Sequence, residues 1–134
     1  MMGISKGWIG VDLDATLATY DGWRGADHIG EPVERMIRRV KDWIAQGYEV
    51  RIVTARVGRP DPTRVSNTQE KIEKMRTLIQ DWCEVHIGSR LIVTNEKDYA
   101  MIELYDDRCV QVEANTGKLI GHSTKNSRDF NEGD

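Results

Sequence analysis

Long apolar runs are absent from this 134-residue chain, so the sequence predicts no bilayer-spanning segment and no membrane partner. A basic stretch followed by an apolar one is also missing at the N-terminus, which gives no sign of a secretory signal. Cysteine is used twice, as Cys83 and Cys109. That is too few for a disulfide framework or a four-ligand zinc site, and it makes a reduced, cytoplasmic setting the expectation. Excess positive charge is lacking: the formal net charge is -3, which argues against a broadly basic nucleic-acid surface. Phenylalanine occurs once, at Phe130, whereas tryptophan occurs four times, so Trp8, Trp23, Trp43 and Trp82 are expected to supply much of the aromatic packing. No repeat and no shift in composition marks a second domain.

What is present is 39% hydrophobic and 31% charged residues, a globular mix. Trp8 to Leu13 is short, apolar and β-branched, and reads as a strand buried on both faces. Residues 15–31 are glycine-rich and read as a flap loop. Pro32 suits a first helical position, and Val33, Met36, Ile37, Val40 and Ile44 then fall on one helical face that Gly47 ends. Tyr48 to Thr54 alternates as a second strand. Ser66 with Gln69 resembles a capping box ahead of a helix carrying Ile72, Met75, Ile79 and Trp82. Arg90–Thr94, Ala100–Tyr105 and Cys109–Glu113 read as further strands, the last turned by Asn115-Thr116-Gly117. Residues 122–134 form a polar tail to which no structure is assigned. One α/β domain over residues 1–121 is predicted: a three-layer Rossmann-like, open, mainly parallel sheet with helices on both faces and no separate cap domain.

In such sheets ligands lie beyond the carboxyl ends of the strands. The residues there are Asp12, Asp14 and Thr16 after the first strand, Thr54 and Arg56 after the second, Lys97 after the third, and Asp106 and Asp107 after the fourth. Any one of these is an ordinary solvated turn residue when taken alone. Together they place four carboxylates, a hydroxyl and an ammonium on one edge. Clustered carboxylates repel by several kcal/mol at an effective dielectric of about 20, so a cation is expected among them. Oxygen ligands without His or Cys point to Mg²⁺.

The ordered set Val11-Asp12-Leu13-Asp14-Ala15-Thr16, Val53-Thr54-Ala55-Arg56, Lys97 and Leu104-Tyr105-Asp106-Asp107 resembles the four motifs of the haloacid dehalogenase-like phosphohydrolase superfamily over residues 8 to 113. The resemblance implies a small, cap-less phosphatase working through an aspartyl-phosphate. It makes Asp12 the nucleophile and Asp14 the general acid and base. Thr54 and Lys97 would bind the phosphoryl oxygens, and Thr16 would close the turn after the nucleophile. Mg²⁺ would be held by Asp12, by the backbone carbonyl at Asp14, and by the Asp106-Asp107 pair. Asp107 is favoured as the direct ligand, with Asp106 orienting Lys97. Crowding by other carboxylates would raise the pKa of Asp14 and let it carry a proton.

Tyr20, Trp23, Arg24, His28, Arg56, Arg59 and Arg64 lie in the two loops flanking the crevice. Trp23, His28 and Arg56, with Thr16, are the candidate substrate contacts: a base or sugar would stack on Trp23 and pair with an arginine. The implied partner is a small phosphorylated substrate, with a nucleotide or a nucleic-acid end among the options. An open site of this kind also leaves room for a second copy of the chain. The alternative is a phospho-acceptor or metal-binding regulatory module of receiver type, which uses a similar residue set. There, however, the phosphorylated Asp follows a middle strand, and no Asp directly follows the second or third strand here. A sugar-nucleotide transferase using Asp-x-Asp ranks lower, because the chain is short and shows no nucleotide-sugar pocket.

Overall fold

The computed structural model describes residues 6–59, 63 and 68–121. Strand β1 (Trp8–Val11) is followed by helix α1 (Glu34–Ala45), β2 (Glu49–Val53), helix α2 (Gln69–His86), β3 (Ile92–Thr94) and β4 (Met101–Tyr105). The four strands form one parallel sheet in the order β3-β2-β1-β4. The α/β class and the parallel sheet agree with the sequence pattern. A short antiparallel pair, β5 (Gln111–Val112) and β6 (Leu119–Ile120), stands apart, turned through Asn115 and Gly117 at positive φ. No helix among the described residues is long and apolar enough to cross a membrane.

The second helical layer is not found among the described residues. The steps β1 to β2 and β2 to β3 run in the same direction across the sheet, and right-handed crossovers then put α1 and α2 on the same face. Met36, Ile37 and Val40 of α1 and Ile72, Met75, Ile79 and Cys83 of α2 accordingly share one core with Ile9, Val11, Val50 and Ile52. The link from β3 to β4 is only residues 95–100, too short for a helix, and it returns along the other face.

Trp8 covers that face. Its indole reaches over Gly10, where a Cβ would come within 3.1 Å of Trp8, 3.1 Å of Leu104 and 3.0 Å of Val53. The Arg51 guanidinium sits 4.5 Å from the Trp8 ring, and Asp98 accepts from Trp8 Nε1 at 2.8 Å. Of the four tryptophans, Trp8 is buried and Trp43 packs on Tyr105 at 4.8 Å, whereas Trp23 is 59% exposed and takes no part in the core.

Boundaries shift for local reasons. Pro32 lies outside α1 and pairs with Ala18 in an isolated antiparallel bridge, so the helix starts at Glu34. The expected cap at Ser66 lies outside the described residues; Thr68 caps α2, its hydroxyl accepting from Lys71 N–H at 3.2 Å. The tail from residue 122, with Phe130, and Arg64 also lie outside them.

Candidate active site

Strand order reverses at β1, whose neighbours β2 and β4 lie on opposite sides, and in open parallel sheets such a switch point is where ligands bind, beyond the carboxyl ends of the strands. Asp12 follows β1 directly, its N–H bonded to Tyr105 O at 2.9 Å, which fixes it beside the end of β4. The chain then turns tightly. Leu13 O accepts from Thr16, Leu17 and Ala18 N–H at 3.3, 2.9 and 2.8 Å, and Ala15 is held at φ 70°. Leu13, Leu17 and Ala18 are fully buried and pin this loop to the core. Each leucine contributes about 1.5–3 kcal/mol of burial, enough to offset the ~1–2 kcal/mol strain of a left-handed alanine.

Asp12, Asp106 and Asp107 form one group whose nearest carboxylate oxygens lie within 4.8 Å of one another. Thr16 stitches it together. Its hydroxyl oxygen accepts from Asp107 N–H at 3.0 Å and lies 3.1 Å from Asp107 Oδ1 and 3.4 Å from Asp12 Oδ2. Asp12 is half-buried, and its pKa is pushed up from 3.8 to about 7. Burial is the largest cause, followed by the charge of Asp106, a hydrogen bond to Asp107 and the charge of Asp107; the Leu13 backbone opposes them. The donor set suits a hard divalent ion.

The side chain of Asp14 is not in this group. Its two oxygens accept from Arg56 Nε at 2.8 Å and Nη2 at 2.9 Å, a two-pronged pair in which the Arg56 side chain is 6% exposed. The neighbour of Asp14 is thus a cation, not the crowd of carboxylates expected from the sequence. Arg56 Nη2 also donates to His28 O at 2.9 Å, and its guanidinium lies 4.9 Å from the Trp23 ring. One side chain therefore joins Asp14 to the loop holding Trp23 and His28.

Thr54 is 3% exposed at the end of β2; its hydroxyl accepts from Arg56 N–H at 3.1 Å, and no acceptor for its own proton is found among the described residues. Lys97 is exposed in the 95–100 link and makes no hydrogen bond or ion pair within them. The expected Asp106–Lys97 contact is absent; Asp106 accepts from Arg108 N–H at 2.8 Å instead. Both members of the acidic pair, rather than Asp107 alone, offer an oxygen to the cluster. Sequence reasoning passed over Cys109, whose thiol is raised by burial and then by the charges of Asp106, Asp12 and Asp107. Its place two residues after the acidic pair was the available signal.

The loop between Thr19 and Glu31 is pinched at its base. Thr19 N–H donates to Glu31 O at 2.8 Å, Glu31 N–H donates to Thr19 Oγ1 at 3.1 Å, and a Cβ on Gly30 would meet Thr19 O at 2.0 Å. Trp82 Nε1 of α2 donates to Gly30 O at 3.2 Å and anchors the same point. Inside the loop lies a pocket of about 310 Å³, lined in part by Tyr20, Asp21, Arg24, His28 and Glu31. Comparison of the chain with protein-family models, with curated proteins and with solved structures finds no match.

Proposed function

We propose that this protein is a Mg²⁺-dependent phosphomonoesterase of the haloacid dehalogenase-like kind, built on a Rossmann-like core and acting through an aspartyl-phosphate on Asp12. The observation that carries the reading is the meeting of Asp12, Asp106 and Asp107 at the carboxyl ends of two neighbouring strands, tied by Thr16. A fold keeps such a crowd of carboxylates at a cost unless a cation compensates it. The carboxylates of Asp12, Asp106 and Asp107 would hold Mg²⁺, which when bound offsets most of the group's charge and draws charge from one phosphoryl oxygen.

Asp12 attacks phosphorus in line with the leaving oxygen. The bond from phosphorus to that oxygen breaks as the bond to Asp12 forms, and the leaving oxygen takes a proton from Asp14. In the second step water attacks the phosphorus of the acyl phosphate and gives a proton back to Asp14; the bond to Asp12 breaks, and phosphate leaves. Delivery of the proton requires Asp14 first to release at least one Arg56 bond and take up a proton from solvent, and only then to meet the leaving oxygen. Thr54 offers its uncommitted hydroxyl proton to a phosphoryl oxygen, and Lys97, free of any ion pair among the described residues, brings an ammonium to another. The test is phosphate release from an aryl phosphate with Mg²⁺, abolished by EDTA and by Asp12→Asn. Hydroxylamine-labile phosphate retained on Asp12 for minutes with no steady release would mark a phospho-acceptor module instead.

A further inference from the structure

We propose that the pocket inside the 19–31 loop is the leaving-group subsite of this active site, and that it takes a neutral nucleoside, which makes the substrate a nucleoside monophosphate. The inference rests on the hydrolase reading above and extends it to the substrate class. If Asp14 protonates the leaving oxygen, the leaving group must lie on the Asp14 side of phosphorus. Arg56 holds the Asp14 carboxylate and, at 2.9 Å, the backbone carbonyl of His28. His28 also lines the pocket, so Arg56 links the Asp14 carboxylate to the pocket wall through the His28 carbonyl.

Size, shape and charge then select the occupant. About 310 Å³ is at the low end of the ~300–1,000 Å³ of small-molecule sites, which suits a group the size of a nucleoside. Tyr20 is 43% exposed, lines the pocket and supplies flat surface for a base to stack on. Arg24 is already paired with Asp21 at 2.6 Å, which leaves Glu31 as an uncompensated acceptor for amino or hydroxyl hydrogens. Two carboxylates, Asp21 and Glu31, stand against the one guanidinium of Arg24 in the lining. A leaving group that carries its own phosphate is therefore disfavoured, and a nucleoside diphosphate should be a poor substrate.

Two measurements test this. In the first, adenosine, guanosine and cytidine are titrated into the metal-free full chain and followed by NMR and calorimetry. Saturable binding that Tyr20→Ala weakens at least tenfold and Tyr20→Phe restores is the expected result; Tyr20 is exposed, and an unchanged melting temperature confirms that the variant folds. No saturable binding up to the solubility limit of each nucleoside, or binding indifferent to Tyr20→Ala, overturns the proposal. In the second, kcat/KM is compared for nucleoside monophosphates, nucleoside diphosphates and methyl phosphate with Mg²⁺. A monophosphate-to-methyl-phosphate ratio that falls at least tenfold in Tyr20→Ala, through KM, supports the subsite; a preference for diphosphates refutes it. Tyr20-dependent nucleoside binding without turnover of any ester would uphold the pocket and remove the hydrolase reading, while turnover without nucleoside binding would do the reverse.

Discussion

Asp12→Asn in the absence of metal is expected to make the protein more stable at pH 8, an unusual outcome for a substitution in an active site. The pKa of Asp12 is about 7 in the folded chain, against 3.8 for an ordinary Asp. The folded form therefore holds the proton more tightly than the unfolded form. That advantage is complete below about pH 4 and is lost as pH rises through 7, so at pH 8 the folded chain bears the full cost of an ionised Asp12 among its neighbours. The whole displacement is worth at most ~4 kcal/mol, and solvent screening of a half-buried carboxyl reduces it to roughly 1–2 kcal/mol.

For a chain of this size that is a rise in Tm of about 3–8 °C for Asp12→Asn over the wild type at pH 8 in EDTA. The difference should shrink towards zero as melts are repeated down to pH 4.5. Mg²⁺ should act in the opposite sense: 10 mM of an ion bound at about 1 mM stabilises the wild type by roughly 1 kcal/mol and leaves the variant unmoved. Parallel melting curves for the two proteins from pH 4.5 to 8.5, with no response to Mg²⁺ in either, would refute the picture of a charge-crowded Asp12.

Other expectations follow from the same contacts. Arg56→Ala strands Asp14 and should cost about 2–3 kcal/mol in denaturant unfolding, part of which Asp14→Asn recovers in the double variant; strictly additive losses would show that the pair is uncoupled. Gly10→Ala pushes a methyl into Trp8, Val53 and Leu104 and should destabilise by ~1–3 kcal/mol, read from the urea midpoint. Ala15→Gly relieves the positive φ and should raise stability by up to ~1 kcal/mol in the same assay. Cys83, buried with its pKa pushed up to about 12, should react with a thiol reagent only on unfolding, whereas exposed Cys109 reacts in the native state. Mg²⁺ should speed native labelling of Cys109 at pH 8 by cancelling the carboxylate charges that hold its thiol up, although the burial contribution remains.

Periodicity alone determined the order of strands and helices, because apolar spacing reports which face of an element is buried whatever its neighbours are. Polar residues placed directly after apolar strands likewise located Asp12, Thr54, Asp106 and Asp107 at one end of a parallel sheet, since a parallel strand has to bring its carboxyl end to the same edge as its partners. Three matters depended on tertiary structure. Two successive crossovers in one direction put both helices on one face, a fact of connection handedness that no window of sequence contains. Arg56 claimed the carboxylate of Asp14 from a position 42 residues away, because a tight turn after β1 and a short 3₁₀ turn after β2, Ala55–Val57, brought complementary charges together. Lys97 lies in a link that returns across the sheet, so its nearness in sequence to a strand end did not translate into an ion pair with the acidic cluster. Local pattern reads burial; which charges meet is decided by how the chain crosses itself.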